Sequence, residues 1–350
     1  MAEKQGGSKM RYTRFTLVLL LAIVISIGCA TKRQQPAEGS DYEVIVVADE
    51  ANWEVSRPYL QETFEKTIYT PQVETMYQLK WVQPEEFDKY RRHKSIIILS
   101  QLEISSLLTP VLKSMLPDTT LTDIRNSPKG YYSRRNAYAD GQTLMILLGK
   151  SDGDLQARIR LNGDELFQIT DQQTQKRLTQ FIYRIGEQTE LADEFFNQYG
   201  WYLRMMHDYV ELRNAPDSQF VWLGRDFPFR WIVVHWEDAP ESFQLADEGR
   251  VMLNRVYGEL IPDVRITKQY FSMKESWLNS YNAIEFRGLW EHKTDIKGGP
   301  LLAYAFYAPE QDKIFLLTGI VWAPDREKLP YIRQIEMMLK SFGFTRPKPD

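Results

Sequence analysis

The chain has 350 residues, with 43 basic and 47 acidic side chains, a net charge of −4, 13% aromatics and 1 cysteine. That balance lacks the concentrated basic face of a nucleic-acid binder, and a lone cysteine excludes an internal disulfide. With 9 Trp and 19 Tyr the chain can bury a large core, and its length suggests two domains.

Residues 1–29 read as a lipoprotein signal. Lys4, Lys9, Arg11 and Arg14 precede an apolar run from Phe15 to Ile27 that closes on Gly28-Cys29-Ala30. A basic leader, a short apolar stretch and a small residue before the cut mark a secretory signal. The stretch is shorter than the ~20 residues of a membrane span. Ser26-Ile27-Gly28-Cys29 resembles a bacterial lipobox, with Ser26 in place of the usual leucine or valine. The resemblance implies that Cys29 is acylated and becomes the first mature residue, and several acyl chains suffice for stable anchoring. Ala30 after the cysteine leans towards the outer rather than the inner membrane. The mature chain then carries 39 basic and 46 acidic residues, a net charge of about −7.

Residues 30–41 are polar, with Pro36 and Gly39, and read as a flexible spacer. Residues 42–198 form an N-terminal α/β domain. Tyr42–Ala48 suits a strand buried on both faces. Ser56 and Pro58 open a helix to Lys66, Met76–Trp81 is a strand, and Pro84-Glu85-Glu86 starts a helix. Ser95–Leu99 is a strand and Ile104–Leu116 a helix. Strands alternating with helices predict a mainly parallel sheet. Two more strands, Tyr131–Ala137 and Thr143–Leu148, are followed by a helix with Leu178, Phe181, Ile182 and Ile185 on one stripe. A further helix, Leu191–Phe196, ends near Gly200.

Residues 199–350 change character. Tyr209–Leu212, Phe220–Leu223 and Trp231–Trp236 read as antiparallel strands. The helix Ala246–Leu260 is stopped by Pro262. Ile284, Phe286 and Trp290 alternate with Glu285 and Arg287, a half-buried pattern. A Gly298-Gly299-Pro300 turn, a strand through Leu302, Tyr304 and Phe306, and Ile314–Trp322 complete a meander. A last helix, Leu329–Ser341, places Ile332, Ile335, Met338, Leu339 and Phe342 on one face.

Phe286-Arg287-Gly288-Leu289-Trp290 with Gly298-Gly299-Pro300 resembles a block found in a family of uncharacterised lipoproteins of Bacteroidota-type bacteria, a domain of unknown function. The likeness implies an envelope location and no reaction. Residues 200–344 resemble the Mog1/PsbP-like αβα sandwich, which implies binding or assembly.

Catalytic and metal signatures are weak. Gly149-Lys150-Ser151 lacks the glycine a phosphate loop needs at position 144, which is leucine. A calcium loop from Asp154 to Glu165 would carry Gln156, Arg158 and Ile159 where oxygen ligands and glycine belong. The four histidines, His93, His207, His235 and His292, have no paired zinc spacing. His235 and Glu237 share one strand face at a strand end. No Gly-x-Ser-x-Gly elbow is present. No cofactor is implied. Lys129, Tyr131, Tyr132, Arg134, Arg135 and Tyr138 form a basic-aromatic patch suited to glycan or lipid headgroups. Arg287, Trp290, Gly298, Gly299 and Pro300 suggest a contact surface between domains or with a partner. The expectation is a cell-envelope lipoprotein acting as a binding or assembly module, with an envelope protein or glycan as partner. The alternative is a tethered hydrolase of an envelope polymer.

Overall fold

A computed structural model describes residues 34–102 and 106–347. Cys29 and the signal segment lie outside the described residues. The fold is mixed α/β, built on two large sheets.

The first sheet comprises β1 (Glu43–Val47), β2 (Gln78–Val82), β3 (Ser95–Ser100), β4 (Tyr131–Arg135) and β5 (Thr143–Leu148) in the order β2-β1-β3-β5-β4. The pairs β1–β2, β1–β3 and β3–β5 are parallel, and β4 runs antiparallel at the edge. The continuous Val/Ile/Leu runs follow from cover on both faces. Ile45, Ile96 and Ile146 pack towards α2 (Leu108–Met115) and α3 (Asp118–Asn126). Val46, Ile97 and Met145 face α1 (Glu50–Phe64) and α4 (Asp152–Tyr183).

The second sheet contains β6 (Val210–Ala215), β7 (Phe220–Arg225), β8 (Phe229–Asp238), β9 (Val264–Ile266), β10 (Ser272–Leu278), β11 (Tyr281–His292), β12 (Gly298–Ala308) and β13 (Lys313–Trp322). Its order is β9-β11-β12-β13-β8-β7-β6, with β10 also on β11. All of its pairs are antiparallel, and β11–β12–β13 form the expected meander. One face is covered by α6 (Leu245–Arg255) through Met252 and Leu253. The other is covered by α5 (Thr189–Tyr199), the last turns of α4, and α7 (Leu329–Leu339). This half is an αβα sandwich.

Several expected elements differ. Residues 36–40 are docked rather than free: the Ala37 N–H donates to the Asp140 carbonyl (2.8 Å) and the Glu38 N–H to that of Arg92 (3.0 Å). Gly39 adopts φ +89, a backbone only glycine enters freely, and a Cβ there would also meet the His93 ring at 2.2 Å. Helix α1 begins at Glu50 and carries Pro58 inside it. Burial of Trp53, Leu60 and Phe64 along the same helix offsets the bond that proline cannot make. Of the helix expected over 104–116, Leu108–Met115 forms; it stops because Leu116 precedes Pro117 and is extended at φ −138, ψ 144, and a second helix, Asp118–Asn126, follows. Phe181 and Ile185 point outward, at 50% and 71% exposure, whereas Leu178 and Ile182 are buried. Helix α5, placed with the first half by sequence, packs Ala192 and Phe195 beside Trp201 in the second core. Gly298-Gly299-Pro300 is the start of β12, not a turn. Among the described residues no helix is long and apolar enough to cross a membrane.

Candidate functional site

The two sheets meet through polar contacts. Thr67–Ile68 and Glu74–Thr75 form a two-stranded hairpin projecting from the first half. At its base, Glu74 accepts from the backbone N–H groups of Lys328 (2.8 Å) and Leu329 (2.7 Å), capping the N-terminus of α7. A carboxylate there meets unsatisfied donors and the favourable end of the helix dipole. Lys328 Nζ reaches Gln72 Oε1 at 3.1 Å, and Tyr69 stacks on Tyr270 with centroids 4.4 Å apart.

Beneath this bridge lies a cleft of 470 Å³ with residues of both halves on its walls. Its floor is a ladder of alternating charges. Arg333 on α7 donates to Asp171 on α4 (2.6 Å) and to Glu336 one turn on (3.0 Å). Lys340 donates to Glu336 at 2.8 Å. Arg287 on β11 lies 3.6 Å from Glu336 and donates to Glu285 at 2.6 Å, and Lys274 on β10 reaches Glu285 at 3.2 Å. The Tyr304 hydroxyl spans Glu285 (3.2 Å) and Glu336 (3.4 Å). Tyr77 and Gln175 complete the shell of Asp171.

The electrostatics follow from this geometry. Burial alone would raise Glu336, but Arg333, then Arg287 and Lys340, hold its carboxyl far below the ordinary range. Burial likewise opposes the ionised form of Glu285, and Arg287 and Lys274 hold it low. Burial works against the Arg287 cation, yet Glu336 and Glu285 outweigh it and hold the guanidinium above its usual value. Burial, then Glu336 and Glu285, push Tyr304 well up, so the phenol stays a donor. The lining carries five bases (Lys66, Lys274, Arg287, Arg333, Lys340) against three acids (Asp171, Glu285, Glu336).

Of the contact residues expected from sequence, Arg287 and Pro300 line this cleft. Trp290 does not: it faces the α6 side and donates from Nε1 to the Val321 carbonyl at 3.0 Å. Gly299 allows that crowding, since a Cβ there would sit 1.9 Å from the same oxygen. Gly298 pairs with Glu291 in the ladder. The strand face that carries Glu285 and Arg287 is covered, with Glu285 5% exposed. The reason is α7, which buries Arg333 and Glu336 along with its apolar stripe.

The basic-aromatic patch divides over the two faces of β4. Lys129 lies over the Tyr131 ring (5.7 Å) and pairs with Glu165 (2.9 Å) on the α4 side. Burial, then Glu165, push the Tyr131 hydroxyl up to about 12. Alternation puts Arg135 on that side too, whereas Tyr132, Arg134 and Tyr138 line a hollow on the other. His235 and Glu237 do share a face, with Nε2 and Oε1 2.8 Å apart. The other ring nitrogen faces the Gln219 carbonyl at 2.9 Å, and Arg255 also pairs with Glu237. That set is already closed among protein groups. Among the described residues no cluster of three His, Cys, Asp or Glu could hold a metal ion.

Comparison with known proteins divides the chain similarly. Residues 37–183 match one family described as a domain of unknown function (DUF8532), and residues 188–341 match another, also a domain of unknown function (DUF4837). The search of curated proteins returns no match. Among solved structures the chain is similar to a point variant of the protein Mog1, at 12% identity over 41% of this chain and 90% of that one, with TM-score 0.30. The Ran-binding protein Mog1p of Saccharomyces cerevisiae matches at 12% identity over the same shares, with TM-score 0.31. At that level the likeness carries no argument here.

Proposed function

We propose that this chain is a binding or assembly module tethered to the cell envelope through acylated Cys29, and that its inter-sheet cleft receives an acidic group of a partner. The observation that carries the binding role is the state of the cleft acids. A carboxyl that acts as general acid near neutrality is tuned upward. Glu285 and Glu336 are both held low by neighbouring cations. They organise the guanidinium groups rather than move protons. The excess of lining bases favours an anionic visitor: Lys66, which also pairs with Asp164 outside the cleft (3.3 Å), and Lys274 stand at the rim with 41% and 67% of their side chains exposed.

Two measurements test this. Cys29→Ala should leave an unprocessed precursor that takes up no labelled fatty acid; unchanged labelling contradicts the tether. Lys66→Glu with Lys274→Glu should leave the chain folded, with a melting temperature lowered by repulsion between position 274 and Glu285, and lose partners recovered from detergent-solubilised envelopes. Unchanged recovery contradicts the role of the cleft.

A further inference from the structure

At one end of the second sheet, on the face that α6 covers elsewhere, aromatic rings converge from three strands. Trp231 on β8 pairs across to Gly224 and Ile320, Trp222 opposes Val233, and Phe229 opposes Trp322. Register therefore puts Trp222, Phe229, Trp231 and Trp322 on one face. The rings form a track: Phe229 stacks on Trp322 at 5.3 Å, Trp222 meets Trp231 edge-on at 5.3 Å, and Phe227 meets Phe229 at 6.2 Å. Phe227 is 47% exposed. Two adjoining hollows, of 170 and 440 Å³, share Phe229 and Trp231 as a common wall.

The polar groups beside the track are balanced in charge. Asp208 pairs with Arg225 (2.5 Å) and Lys297 with Asp295 (2.6 Å). Arg326 lies over the Phe227 ring at 5.2 Å, and Asp226 lines the larger hollow. Asp208 Oδ1, Arg225 Nε and Trp222 Nε1 are shut off from water and make no hydrogen bond. All three belong to residues lining the larger hollow. Buried polar atoms without partners are costly and ask for an explanation.

We infer that this groove is a saccharide-binding site for a neutral glycan. Flat indole and phenyl faces match the apolar face of a sugar ring, and a paired carboxylate and guanidinium offer an acceptor and a donor to neighbouring hydroxyls. The charge balance argues against the other users of aromatic tracks. Single-stranded nucleic acid and anionic headgroups call for an excess of cations, and a cationic ligand for an excess of acids. Two hollows sharing one wall suit consecutive rings of an oligosaccharide. The site is separate from the ionic cleft and does not depend on it.

The test is a titration of the full-length chain with neutral tetrasaccharides of glucose, mannose, galactose and N-acetylglucosamine, read by tryptophan fluorescence and calorimetry. At least one should bind saturably at millimolar concentration or below. Trp322→Ala should weaken that binding about tenfold, the loss of one good ring contact, and Trp322→Phe should largely keep it. Because Trp322 is half-buried, Phe227→Ala serves as a second variant at an exposed ring, with a weaker loss of binding and a melting temperature lowered by no more than a few degrees. Lys66→Glu with Lys274→Glu should leave sugar binding intact, which separates this site from the cleft. No saturable binding across the panel, or binding indifferent to both ring variants, overturns the inference. So does binding to phosphatidylcholine–phosphatidylglycerol vesicles that both ring variants abolish, since that assigns the rings to a membrane surface.

Discussion

The two sheets solve the same packing problem with different side chains. In the first, strands β1, β3 and β5 present apolar residues to helices on both faces, with Glu43, Ser95, Ser100 and Thr143 only at the strand ends. In the second, β11 sends Phe286 and Trp290 into an apolar layer but Glu285 and Arg287 into a charged one. The difference marks where the candidate site lies. Charges under a helix cost desolvation unless a network satisfies them, and here the network is completed only by Asp171 of the other half. The first half lends Lys66 and Asp171 to the cleft, and the second supplies its other charged groups.

The sharpest way to break this contrast is Arg333→Ala. Arg333 is 3% exposed between Asp171 and Glu336, and removing one partner of such a buried set costs roughly 3–5 kcal/mol. Urea unfolding should show a loss of that size, and a change under about 1 kcal/mol would show that the ladder is not a buried network. The same network sets an acid limb. Glu336 and Glu285 are held below their ordinary value of 4.5 in the folded chain, so the unfolded chain takes up their protons first. Their stabilisation is complete above pH 4.5 and is lost as pH falls below it through the folded values. Arg333→Ala should flatten that limb, read as melting temperature against pH.

A smaller effect is expected at the joint between the halves. Glu74→Ala removes the cap of α7 and should cost about 0.5–2 kcal/mol, with Glu74→Gln recovering part of it. If the cap couples the halves, calorimetry should resolve two transitions where the parent shows one. Smaller still is Tyr69→Ala. An aromatic pair contributes about 0.5–1.5 kcal/mol, and Tyr69 and Tyr270 are 47% and 42% exposed. A loss above that range would mean that the hairpin folds only against Tyr270. A fragment of residues 188–347 sharpens the comparison from the other side. It keeps α5 and α7 over the second sheet, and its cooperative unfolding would support two folding units.

Much of the scaffold was legible in the sequence. Unbroken runs such as Ser95–Leu99 announce strands covered on both sides, and Gly200, at φ +78, ends its helix as expected. The ladder was not legible. Arg333, Glu336 and Lys340 fall at helical spacing that ordinarily marks a solvated face with i,i+4 pairs. Nothing local says that α4, more than 150 residues earlier, supplies Asp171 to that face. The aromatic groove was hidden for a related reason. Trp222, Trp231 and Trp322 lie on three strands, and only strand register assembles them. β alternation set Arg287 apart from Phe286, and Arg287 lines the cleft, while Trp290 and the two glycines were drawn in by mere proximity in sequence.

The most direct test of the cleft is site-specific photocrosslinking in intact cells. A benzophenone amino acid replaces Gln175, on the cleft wall, or Leu161, 71% exposed on an outward turn of the same helix. A cleft that receives an acidic partner group predicts a discrete adduct from position 175, none from 161, and loss of the adduct with Lys66→Glu and Lys274→Glu. Equal labelling from both positions, or an adduct that survives the charge reversal, would contradict it.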